Sequence, residues 1–168
     1  SALTLDIFHR NCEKVKAACV AQSVNVLNSL LLTEKGQCIR TPNYHVFDMY
    51  KVHRGGEALA VSRDSGGEEE RINGFASRKG GIIYVNLVNT DMVSSRIAEL
   101  TFTQAVTYAG GEALYSGDVH DCNTADQPDL IRKRVAEAPV LHGKRAQVIL
   151  PPASVSVYTF ALNTEKKD

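Results

Sequence analysis

Tryptophan is absent from this sequence, and all aromatics together make up only 7% of it. A sugar-binding surface built on stacked aromatic platforms therefore has little to draw on. A charge excess of either sign is missing too, since 19 Lys and Arg balance 19 Asp and Glu. A dedicated nucleic-acid binder needs clustered positive charge to neutralise phosphates, so no nucleic-acid partner is expected. No apolar run reaches the roughly 18 residues of a membrane-spanning helix, and no membrane partner is expected either. Collagen periods, heptads and low-complexity tracts are lacking. So is a basic start followed by an apolar stretch and a small-residue cleavage site. That leaves the compartment open, with a bacterial cytoplasm or periplasm expected. The first residues, Ser1-Ala2, carry no Met. They read as a tag scar or a cleavage product, and the chain as a piece cut from a larger protein.

What is present is an ordinary globular composition, 43% hydrophobic and 23% charged over 168 residues, enough for one core. Cys12, Cys19, Cys38 and Cys122 are even in number, but no Cys-x-x-Cys pair suggests zinc. Cys12 and Cys19 on one helix would lie roughly 10 Å apart along its axis, too far for a disulfide. Buried, reduced thiols are expected.

The chain divides into two patterns. Over residues 3–22, Leu5, Phe8, Cys12, Val15 and Cys19 recur at three- and four-residue steps, predicting a helix. Residues 23–32 are nearly continuously apolar and read as a strand covered on both sides. Lys35-Gly36 reads as a turn. Thr41-Pro42 reads as a helix start, with Thr as cap and Pro in the first turn. Arg54-Gly55-Gly56 ends that helix. From Glu57 onward, short β-rich segments alternate, with Ile83, Val85, Leu87 and Asn89 facing one way in IIYVNLVN. The Gly pairs at 66–67, 80–81 and 110–111 read as turns, and the whole as an antiparallel sandwich. Expected boundaries are 1–54 for the α/β part, 55–163 for the sandwich and 164–168 for a disordered tail.

Sites of chemistry are scarce. Asp118, His120, Asp121, Asp126 and Asp129 crowd one stretch, but an EF-hand count from Asp118 meets Asn123 where Gly belongs and Asp129 where Glu belongs. A solvated connecting loop is expected there, and no metal. His9, His45, His53, His120 and His142 lie outside any nucleophile motif, and no phosphate-cradling glycine loop occurs. Gly66-Gly67-Glu68-Glu69-Glu70 reads as an exposed hairpin tip. No cofactor and no catalytic residue is expected.

The stretches HRNCEKVKAACVAQSVNVLNSLLLTEKG and TPNYHVFDMYKVHRG resemble the α-L-arabinofuranosidases of glycoside hydrolase family 51. HDCNTADQPDLI is similar to that family's asparagine-containing loop, and LPPASVSVYTF to its closing strand. The resemblance implies a mainly β fold: an antiparallel, jelly-roll-like β-sandwich preceded by a helix-strand-helix remnant of a (β/α)8 barrel. Residues 3–22 would be the seventh barrel helix, 23–32 the eighth strand and 42–54 the eighth helix. It implies a parent enzyme that removes terminal non-reducing α-L-arabinofuranosyl residues from arabinan or arabinoxylan by retaining hydrolysis with two Glu. The family's acid/base Glu follows an Asn, and this chain has no Asn-Glu dipeptide. The catalytic pair is therefore expected upstream and the chain itself inactive.

By the same resemblance Gln22, from the Ala-Gln pair entering the eighth strand, would lie near the sugar and hydrogen-bond an arabinose hydroxyl, with Asn25 and Asn28 on that strand as weaker candidates. Its partners would be the remainder of the catalytic barrel, an arabinose-containing polysaccharide or oligosaccharide, and further copies of itself. Leu27, Leu30, Leu31 and Leu32 would favour that association, because strand 23–32 would have no neighbours of its own. The alternative is a non-catalytic module for carbohydrate binding or oligomerisation, with Tyr84, Tyr108, Tyr115 and Tyr158 available to stack.

Overall fold

In a computed structural model of the chain, residues 1–20, 22–62 and 71–163 are described. The acidic stretch read as a hairpin tip and the tail 164–168 lie outside them. Helix α1 (Ala2–Arg10) is followed by irregular backbone, then the hairpin β1 (Leu31–Glu34) and β2 (Gln37–Arg40). Helix α2 (Pro42–Met49) runs on into a 3-10 turn, Tyr50–His53. Among the described residues nine strands follow: β3 (Glu57–Ala58), β4 (Ile72–Lys79), β5 (Ile82–Asn89), β6 (Arg96–Thr101), β7 (Val106–Leu114), β8 (Arg134–Val135), β9 (Val140–His142), β10 (Arg145–Leu150) and β11 (Ser154–Leu162).

The strands make an antiparallel sandwich, as expected. One sheet has the order β3-β4-β5-β11-β7-β8, and the other β6-β10-β9. Between them lies an apolar core that includes Val85, Leu87, Ala146, Val148, Leu150, Tyr158 and Phe160. The alternation that made β5 and β11 legible also serves a second layer. Their other faces put Val88 and Val157 into a separate cluster with Leu5, Val46, Met49 and Tyr50 of the helical part. The larger sheet is thus covered on both sides, by the small sheet in front and by α1 and α2 behind.

The amino-terminal part departs from the helix-strand-helix reading. The first helix ends at Arg10, not near residue 22. Asn11 closes it: its backbone N–H donates to the Ile7 and Phe8 carbonyls, and its carboxamide takes the Ile7 carbonyl at 2.8 Å. Leu5 and Phe8 have a surface to pack on, whereas Cys12 is exposed. A helix without tertiary packing over its apolar stripe is marginal in water. Residues 23–32 are not one strand. Their carboxyl end turns back as the β1–β2 hairpin, pairing Leu31 with Arg40 and Leu32 with Ile39. Before it only an isolated bridge joins Val24 to Leu31. Folding back satisfies backbone groups that a lone strand would leave bare.

Three smaller corrections share this logic. All four cysteines are free but exposed rather than buried. Cys12 and Cys19 fall beyond the end of α1, where nothing covers them. Gly110 and Gly111 do not turn the chain. They sit within β7 at a bulge, where the pairing with β11 slips between Thr159 and Phe160, and Gly110 takes φ 138°. The Lys35-Gly36 turn, the Thr41 cap (its hydroxyl accepts from Tyr44 N–H) and the Gly80 turn follow the sequence reading.

Candidate functional site

Gln22 lies in irregular backbone between α1 and β1, and its residue is exposed. Asn25 and Asn28 both take left-handed backbone, φ 55° and 60°, a conformation in which asparagine is enriched. Asn25 braces the hairpin: Oδ1 accepts from Thr33 N–H at 2.7 Å, and Nδ2 donates to Thr33 Oγ1 at 2.6 Å. Asn28 offers its carbonyl to Asn43 Nδ2 at 3.0 Å. Thr41 Oγ1 donates to the Ser29 carbonyl at 2.7 Å. The segment beside Gln22 is therefore pinned by side-chain amides and hydroxyls, while Gln22 itself faces solvent.

The Asp-rich stretch is a packed loop. Asn123 is buried at its centre. Its Nδ2 donates to the Arg40 and Ile131 carbonyls, both at 2.8 Å, and its Oδ1 accepts from Ile131 N–H at 2.7 Å. One carboxamide thus closes the loop on itself and ties it to the end of β2. Asp118 accepts from His120 N–H, Asp121 from the Ser116 hydroxyl, and Asp126 pairs with Lys35 at 3.2 Å. These acids point to separate tasks, and among the described residues no three His, Cys, Asp or Glu converge as a ligand set.

The histidines also divide. His120 and His142 are exposed. His45 is buried beneath α2, where burial and then the charges of Lys133 and Arg40 hold it below the ordinary histidine range. Nearby, Lys133 spans Asp48 at 2.6 Å and Glu112 at 3.0 Å. Burial opposes its charge, but the two carboxylates outweigh that and raise its pKa. Asp48, hydrogen-bonded to Lys133 and Lys51, is held below the usual carboxylate range. This network fastens α2 to β7.

The four candidate tyrosines differ in their surroundings, and Tyr115 also lines a groove behind the main sheet. Tyr158 is buried in the core, and Tyr108 and Tyr115 pack against that core. Tyr84 is half-buried, edge-on to His53.

A larger feature lies behind the main sheet. Past α1 and α2, the back face is an open groove of about 970 Å³. Val88, Leu114 and Val155 line it. Met92 and Val93 on its rim are 69% and 86% exposed, and Val119 is exposed as well. The groove runs alongside Ser1, and Asp118, Asp121 and Arg134 supply its polar lining. Exposed apolar side chains with a polar rim are a feature of interaction surfaces and of ligand-binding grooves.

A family model described as the α-L-arabinofuranosidase C-terminal domain matches residues 1–154. The chain belongs to that family. An intracellular exo-α-L-arabinofuranosidase of Bacteroides ovatus is 30% identical to this chain in an alignment 166 residues long that covers 92% of this chain and 32% of the relative. The crystal structure of a family 51 arabinofuranosidase from Xanthomonas axonopodis pv. citri superimposes with a TM-score of 0.87 at 28% identity. It covers 95% of this chain and 34% of that one. A family 51 enzyme of Bifidobacterium longum, 18% identical, shares the fold with a TM-score of 0.81 over 95% of this chain and 33% of its own. The chain spans about a third of the length of these relatives.

The polar residues that organise this domain escaped the sequence reading. Asn86 is fully buried on β5, where its Nδ2 donates to Asp6 at 2.5 Å and to Tyr50 Oη at 2.9 Å. Asn89 sits where two strands cross between sheets. Its Nδ2 reaches the Ser94 carbonyl at 3.0 Å and the Pro151 carbonyl at 2.9 Å, and its Oδ1 accepts from Asp91 N–H. The signal available was an asparagine at an inward position of an otherwise apolar strand, since a buried amide must find partners.

Proposed function

We propose that this chain is the C-terminal part of an α-L-arabinofuranosidase that releases terminal non-reducing arabinofuranosyl residues from arabinan or arabinoxylan. The observation that carries this is the family match over residues 1–154, supported by the named activity of the relatives. The part played by the chain is structural. Residues 1–54 complete the catalytic barrel, and residues 55–163 form a sandwich that buttresses it. The apolar groove behind the sheet supports this reading, because it offers a rigid apolar seat for the rest of the enzyme.

The chemistry is retaining hydrolysis, with both catalytic Glu supplied by the preceding barrel. Gln22, exposed just ahead of residues 23–32, contributes a hydrogen bond to the sugar once that barrel surrounds it. An aryl α-L-arabinofuranoside separates the readings. The chain alone leaves it intact, whereas the chain preceded by its barrel cleaves it. Turnover by the isolated chain overturns the proposal. A carbohydrate-binding module has less support, because Tyr158 is buried and Tyr108 and Tyr115 pack against the core. Calorimetric titration with arabinan oligosaccharides tests it, and no heat of binding is expected.

A further inference from the structure

Helix α1 is nine residues long, too short to persist without the body it rests on. Ala2, Leu5 and Asp6 are its buried residues, with Phe8 and His9 half-buried beside them. Two of these five side chains are ionisable, an unusual share for a docked face. His9 reaches down among rings. It stacks on Phe75 at 5.0 Å and on Tyr50 at 5.8 Å, and its centroid is 5.3 Å from that of His53. His53 is buried and shares a hydrogen bond of 2.8 Å with Ser77 through Nδ1. His53 Nε2 and His9 Nδ1 are both shielded and without hydrogen-bond partners.

We propose that α1 is an acid-released latch, held on the sheet while the facing imidazoles of His9 and His53 are neutral and let go when they take up protons. A proton on either ring places a cation in an apolar, aromatic site, and a second proton sets two cations face to face. Asn86 of β5 favours a charge on His53, but burial and the charge of His9 outweigh it. Asp6 on α1 is engaged by Asn86 of β5, and Arg10 on α1 adds positive charge. The 3-10 turn contributes Tyr50, β4 contributes Phe75 and Ser77, and β5 contributes Tyr84.

Burial holds both histidines below their ordinary range, and with the added charge of His9 it takes His53 to about 4. In the released helix His9 returns to roughly 6.5, while His53 stays on the 3-10 turn and loses the charge and cover of His9. Protons taken up below that value therefore bind the released form more tightly, and docking of α1 weakens as the pH falls from roughly 6.5 toward about 4. The facing sheets are joined by an apolar core that does not titrate in this window, so they stay assembled.

Backbone amide NMR of the intact chain, titrated from about pH 7.5 to about pH 4, tests this. The amides of residues 3–10 should move to unstructured positions with a midpoint below that of a free histidine. Those of β5 and β11 should stay dispersed. His9→Phe keeps the ring contacts and removes the charge, and His53→Gln keeps a polar partner for Ser77. Each should move the midpoint to lower pH by at least about half a unit. The latch is refuted if residues 3–10 keep their shifts to the end of the titration. Loss of α1, β5 and β11 in one step refutes it equally, as do variants that titrate like the parent chain. Should one variant fail to fold, the other and the parent titration decide.

Discussion

Gly74 shows how tightly single positions are set. A Cβ added there would lie 2.5 Å from the Asn86 carbonyl oxygen and 2.8 Å from Leu87 Cδ2. The first of these is backbone and cannot swing aside, so Gly74→Ala should lose about 1–3 kcal/mol in urea unfolding. Asn123 makes the opposite point, that a polar group can be as exacting as a glycine. Asn123→Ala strands the Ile131 N–H and two carbonyls in a buried loop, and a loss of about 1–3 kcal/mol is expected by the same measurement. Neither residue's role was legible in the sequence. Asn123 stood inside the asparagine-containing loop that the family resemblance picked out, yet one of its partners, Arg40, is 83 residues away. Distances of that kind leave no local trace.

Among the elements, legibility followed packing. Strand β10 was plain because its β-rich residues alternate with burial, and β5 and β11 because β-rich alternation persists although both their faces are covered. Helix α2 was plain because Thr41 and Pro42 mark its start chemically, and the Thr41 hydroxyl does cap it. Thr41→Ala should cost about 1 kcal/mol and Thr41→Ser should restore most of it, read from thermal unfolding. The failures lie where periodicity continues without a surface to receive it. The stripe of Cys12, Val15 and Cys19 runs past the end of α1 into solvent, and the leucine run at 30–32 bends into a hairpin because no neighbouring strand borders it. The candidate site suffers most from this. Gln22 sits in exposed, irregular backbone, where neither periodicity nor packing marks a side chain's role.

For the molecule as a whole, exposed apolar side chains include Met92 and Val93 on the groove rim, Val135 on β8, Ile97 on β6 and Leu27, which is 91% exposed. Copies of the chain should therefore associate, and sedimentation should show a concentration-dependent increase in mass. Leu27→Asp and Val93→Asp should shift the population toward the monomer, and a chain that stays monomeric at every concentration would speak against both roles. The corner at Asn89 carries a different consequence. That one amide spans the passage from β5 to β6 and the return from β10 to β11, reaching residues 5 and 62 positions away. It is satisfied only once the end of β10 and Pro151 have come up against the passage from β5 to β6. A nascent polypeptide that stops short of Pro151 therefore has no way to lock the corner, whereas the closing strand adds none of this amide's partners.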